Sequence, residues 1–150
     1  MAIDRLLVAI GPADREHVNA LIDVAIDIAG PAEAEVFLLH VFTNEEYDEL
    51  VEGMDLDPTA SVPPDELAAR HESVGAATSR LEDADIAYDV RGVIGGKPGE
   101  QVIRLVAETD VDHVVVGGTR RSPAGKAVFG DHAQQILLNA PCPVTYLSRD

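Results

Sequence analysis

The reading of this chain turns on residues 114–147, VVVGGTRRSPAGKAVFGDHAQQILLNAPCPVTYL. Val114, Val115 and Val116 form a β-branched run that stops at Gly117 and Gly118, the pattern of a short buried strand emptying into a loop. The loop carries Arg120, Arg121 and Lys126, with no acidic residue before Asp131. A helix is expected from about Gly130, limited by Pro141 and Pro143 ahead of a last strand at Val144, Thr145, Tyr146 and Leu147. A strand that runs into a basic, glycine-bearing loop and then a helix is where an open α/β sheet holds an anion, because helix-start amides face it. The same glycines also serve any tight strand-to-helix turn, so a structural reading stands beside the binding one.

Upstream, strands and helices alternate. Arg5 to Ile10 (RLLVAI) is an apolar first strand, and Gly11, Pro12 and Ala13 turn out of it. Asp14 is the expected N-cap of a helix to about Gly30, with Val18, Leu21, Ile22, Ala25 and Ile26 on one face and Gly30-Pro31 ending it. Glu35 to Phe42 (EVFLLHVF) is apolar enough to be buried on both faces. From Thr43 to Pro64 the pattern lapses into an acidic crossing segment with one helical turn near Tyr47 to Val51. In it, Tyr47, Leu50 and Met54 could fold back over the sheet edge or over a ligand, and cover for the core is the role expected of them. Asp65 to Asp83 is expected as one helix, with Leu67, His71, Val74, Ala77 and Leu81 in a buried stripe. Ile86 to Arg91 alternates like a strand near the sheet edge, and Pro98 opens a helix to about Thr109. Five strands and four helices, without a repeat, predict one domain over 1–150: a parallel sheet with helices on both faces.

Composition narrows the function. The chain has 150 residues, 46% of them hydrophobic, which suits a folded domain with a real core. With 27 acidic against 11 basic residues the formal net charge is −16, and Lys97 and Lys126 are the only lysines. Such a surface repels nucleic acid and anionic membranes, so neither is an expected partner. Abundant carboxylate with little lysine is what concentrated salt tolerates, since screening relieves self-repulsion, and a salt-adapted (halophilic) source is expected. No apolar run approaches bilayer length, and the start MAIDRLLVAI lacks the basic flank and cleavage site of a signal peptide. The lone Cys142, between two prolines, reads as a small buried hydrophobe, and the expected location is cytoplasmic.

Catalytic patterns are weak. GGTRRSPAGK lacks the spacing and the hydroxyl of a complete phosphate loop, and no GxSxG elbow occurs. The histidines at 17, 40, 71, 113 and 132 form no HExxH-type ligand pattern, so no metal site is expected. His71 is given no catalytic role, His113 a fold role, and His132 is the best polar candidate in the crevice. An enzyme is not expected, and binding without turnover is.

Taken together, the LLVAI first strand, the His40-Val41 strand end, GGKPGEQVI, VVVGG and APCPVTYL resemble the universal stress protein family along essentially the whole chain. The resemblance implies a doubly wound five-stranded parallel sheet of order 3-2-1-4-5 with a ligand crevice between the first and fourth strands. It also implies a homodimer through the C-terminal strand. Some members bind ATP through a loop G-x2-G-x9-G-[ST], and others lack it. Here Gly117 and Gly130 match the first and third glycines, Arg120 stands at the second, and Asp131 replaces the hydroxyl residue. Gly11 stands where the first strand ordinarily ends in an aspartate that contacts the nucleoside, and Val41 and Val116 match positions flanking adenine. The implied ligand site is therefore Gly11, Val41, Val116, Gly117, Gly118, Arg120, Arg121, Gly130, Asp131 and His132. A carboxylate beside a triphosphate is unfavourable by roughly 4 kcal/mol per charge pair at ~4 Å and an effective dielectric of about 20. Weak ATP binding is thus expected, with AMP-like ligands, phosphate or chloride at least as well suited. The leading expectation is a stress-response binding and signalling module. The alternatives are a member that acts through its dimer and protein partners without nucleotide, and a weak ATP hydrolase.

Overall fold

A computed structural model describes residues 3–11, 14, 16–53, 63–118 and 131–148. The strands are β1 (Arg5–Ile10), β2 (Glu35–Phe42), β3 (Tyr88–Ile94), β4 (His113–Gly118) and β5 (Val144–Ser148). Among the described residues the helices are α1 (Val18–Ala32), α2 (Asn44–Gly53), α3 (Pro64–Arg70), α4 (Glu72–Asp83), α5 (Pro98–Thr109) and α6 (Asp131–Asn139). The sheet has the order β3-β2-β1-β4-β5. All four pairings are parallel, in registers such as Val8↔Leu38, Ala9↔Val116, His40↔Gly92 and Val116↔Tyr146.

Alternation along each strand builds two cores, since successive side chains of a strand point to opposite faces. Leu6, Val8, Ile10, Val36, Leu38 and Val115 pack with Leu21 and Ile22 of α1 and Val74 and Leu81 of α4. Leu7, Ala9, Leu39, Val41, Val114 and Val116 pack on the other face with Val102 and Leu105 of α5 and Ile136 of α6. The central strands are covered twice, which is why their sequences are apolar at every step.

Three local readings are corrected. α1 begins at Val18, with no side-chain cap from His17, and Asp14 is spent elsewhere. It also runs through Pro31, which stands in the last turn, and stops only at Glu33 in the left-handed region. α2 is longer than the single expected turn because Thr43 Oγ1 accepts from the Glu46 amide at 3.0 Å, the first half of a Thr-x-x-Glu capping box. The helix expected over 65–83 breaks at His71, whose ψ of 138° is extended and whose Nδ1 accepts from the Ser73 amide at the start of α4. The break lets α4 pack beside α1 while α3 lies over β3.

α3 also protects a sheet edge. β3 has β2 on one side only, and Asp65 Oδ1 accepts from the Gly92 amide at 2.7 Å. Tyr47 and Leu50 of α2 pack over Phe42, Leu67 and Ala68, the covering role expected of them. Met54 and the rest of the acidic crossing lie outside the described residues. Among the described residues three non-glycine residues have positive φ: Glu33 at 54°, Asp85 at 57° and Asp110 at 53°. Each follows the end of a helix, α1, α4 or α5.

Candidate functional site

The strand order reverses between β1 and β4, the topological switch point at which open sheets of this kind hold a ligand crevice. Beside it, Ala9, Ile10 and Gly11 at the end of β1, Asp14, Val41 of β2, and Pro98 and Val102 of α5 bound a crevice of about 50 Å³. That is well under the roughly 300 Å³ of a typical ligand pocket. Its walls are mainly apolar, because Ala9, Val41 and Val102 belong to the core on the α5 side.

Asp14 is the polar feature. It is 3% exposed, and its Oδ2 accepts from the Gly11 amide at 2.9 Å while its own amide donates to the Gly11 carbonyl at 3.0 Å. These reciprocal bonds close a tight turn and return a carboxylate to the strand end from three residues downstream. A carboxylate thus lines the crevice three residues after Gly11. The legible signal was a Gly-x-x-Asp turn, which the capping interpretation of Asp14 concealed.

The α5 side is set by a glycine pair. Gly95 and Gly96 have φ of 74° and 73°, a region open to glycine without steric cost. The Gly95 amide donates to the Phe42 carbonyl at 2.8 Å, and Gln101 Nε2 donates to the Gly95 carbonyl at 3.2 Å. This turn delivers Pro98, the first residue of α5, to the crevice.

Of the residues named from sequence, Gly11 and Val41 line the crevice. Val116 is buried beside Ala9 in the sheet, and Gly117 and Gly118 end β4 opposite Leu147 and Ser148. Arg120, Arg121 and Gly130 lie outside the described residues, as does Lys126. Asp131 and His132 form the first turn of α6, and their side chains lie outside the description. Asp14, Pro98 and Val102 were not anticipated.

Two further groups have structural roles. His113 Nε2 and Thr145 Oγ1 are 2.6 Å apart, linking β4 to β5, and burial pushes the imidazole below its usual range. Cys142 is half-buried, and burial together with the Asp112 carboxylate raises its thiol, so the thiolate is disfavoured.

Opposite the crevice, on the other face of β2, His40 is fully buried, with Phe42 and His71 rings at centroid distances of 4.4 and 4.3 Å. Its Nε2 lies 2.7 Å from Glu46 Oε1, while Nδ1 has no hydrogen-bond partner among the described residues. A buried polar atom left this way costs about 1–3 kcal/mol. Ligand atoms of His40, Glu46 and His71 lie within 4.8 Å of one another. Spacing in the sequence gave no hint of this group, because the three residues come from β2, α2 and the α3–α4 junction.

Among the described residues no helix is long and apolar enough to cross a membrane. Comparison with known proteins agrees with the topology. A universal stress protein of Mycolicibacterium smegmatis is 30% identical over 76 residues, covering 51% of this chain and 58% of that relative. A universal stress protein of Methanothermobacter thermautotrophicus is 25% identical over 138 residues, covering 89% of each. Two solved structures share the fold at lower identity. A universal stress protein in complex with cAMP has a TM-score of 0.70 at 17% identity, with 100% of each chain covered. The universal stress protein from Archaeoglobus fulgidus in complex with dAMP has a TM-score of 0.63 at 17% identity, covering 97% of this chain and 98% of that one. The sequence profile of the Universal stress protein family matches residues 2–147, a span that holds every strand and helix described above except the last residue of β5, and the chain belongs to that family.

Proposed function

We propose that this chain is a cytoplasmic stress-response module that binds a small nucleotide, AMP-like in size, in the crevice between β1 and β4, and signals by that binding without turnover. The observation that carries the reading is the pairing of Asp14 with apolar walls beside the C-terminal ends of β1 and β2. A carboxylate accepts from sugar hydroxyls, and flat apolar walls of Val41 and Val102 suit a base. The complexes of two structurally similar proteins with cAMP and dAMP support the same ligand class. Arg120 and Asp131, at the family's glycine and hydroxyl positions, weigh against a triphosphate. The same two residues favour a second reading, in which the protein works through its dimer and protein partners with no nucleotide.

Calorimetry with ATP, AMP, cAMP and phosphate separates the two. AMP or cAMP is expected to bind more tightly than ATP, and Asp131→Ser to improve ATP by about tenfold more than AMP, since it removes a like charge. Asp14→Asn is expected to weaken AMP. Silence from every nucleotide would favour the second reading, and tight ATP binding indifferent to Asp131→Ser would remove the charge argument.

The module is proposed to pair as a homodimer through β5. That strand is hydrogen-bonded to β4 alone within the sheet, and its residues are only half-buried. With −16 per chain, association should strengthen as salt rises, as expected of a salt-adapted protein. Light scattering is expected to show dimer in molar salt and more monomer in dilute buffer. Monomer at both would refute the interface.

A further inference from the structure

The chemistry of the trio on the far face of β2 differs from that of the crevice. His40, Glu46 and His71 bring two imidazoles and one carboxylate within 4.8 Å of one another. We propose that they bind a divalent transition-metal cation of the zinc class, with water completing the shell. Two nitrogen donors of three disfavour magnesium and calcium, which take oxygen ligands. Two histidines and a glutamate are a familiar zinc donor set.

The fit follows from geometry. At metal–ligand bonds of about 2.0–2.2 Å, tetrahedral ligand atoms stand about 3.3–3.6 Å apart. The His40–Glu46 pair must open slightly from 2.7 Å, and the widest separation must close by about 1 Å. Side-chain rotation of Glu46, on the first turn of α2 and 20% exposed at its side chain, opens the His40–Glu46 pair and gives an entry path.

Proton placement also permits the exchange. Among the described residues His40 Nδ1 has no hydrogen-bond partner, so none of them opposes a shift of the ring proton to Nδ1 as Nε2 takes the metal. His71 Nδ1 accepts from the Ser73 amide at 3.2 Å, a long bond, and on a neutral ring that lone pair is the one available to a metal. Binding therefore trades a weak cap of α4 for a bond that ties α2 and the α3–α4 junction to β2.

The test uses the full chain, free of nucleotide, with Co2+ as a spectroscopic probe and Zn2+ in calorimetry. Expected are one equivalent per chain, visible Co2+ bands of tetrahedral intensity, and a thermal midpoint raised by Zn2+. Glu46→Gln and His71→Asn should each weaken binding by about tenfold or more. Asparagine can still accept from the Ser73 amide, so the metal-free fold should survive. His17→Gln should bind as the native chain does. In the native chain, NMR during Zn2+ addition should shift the His40 and His71 ring signals together, a reading independent of any variant. No stoichiometric binding, ring signals that stay put, or affinity unchanged in both ligand variants would overturn the site.

Discussion

Gly92→Ala is expected to destabilise the fold by about 3 kcal/mol or more, as in severe overpacking. A Cβ built at position 92 falls 2.0 Å from the Pro64 carbonyl oxygen and 2.5 Å from its carbon. Both are backbone atoms at the start of α3, so no side-chain rotation relieves the clash. α3 must lift from β3, and Asp65 then loses the Gly92 amide that it accepts at 2.7 Å. The edge of β3 would be exposed along with Leu67 and Ala68, which close the core over Phe42. Denaturant unfolding of the purified variant measures the loss. A native midpoint would mean that α3 does not seat against position 92.

Phe42→Ala is expected to cost about 3–5 kcal/mol, because truncating a buried aromatic adds a cavity to the lost burial. Phe42 is fully buried at the end of β2, beneath Leu67, Ala68, Tyr47 and Leu50. Its ring also stands 4.4 Å from that of His40, and its carbonyl receives the Gly95 amide. The backbone bond survives substitution, so the loss should be one of packing. Phe42→Leu, which keeps most of the volume, should cost markedly less. Thermal or chemical denaturation of the pair separates the outcomes, and equal losses would show that aromatic contact with His40, not volume, governs the site.

The layout was legible where one force decided it. β1 and β2 are continuous apolar runs because both faces are covered, and their ends were placed correctly from sequence. The edge position of β3 followed from its wetter alternation, and the strand order from family resemblance. Misreadings came where a polar group had two possible partners. Asp14 was free to cap a helix or return to Gly11, and sequence favours the commoner use. His71 fitted a helical stripe by spacing, yet its ring nitrogen starts the next helix. Thr43 and Glu46 carried a capping signal that the acidity of α2 obscured. Of the residues that line the small crevice, Gly11 and Val41 were named by resemblance. Asp14, Pro98 and Val102 required the folded turns that gather them.

Glu33, Asp85 and Asp110 hold the left-handed backbone just past three helix ends, where glycine is the usual occupant. The conformation costs a side chain about 1 kcal/mol, somewhat less for aspartate, and an acidic group faces the negative end of the helix dipole. In the genetic code every aspartate and glutamate codon becomes a glycine codon by one change at its middle base. Relief at each position is therefore a single transition away, reachable without passing through any other amino acid.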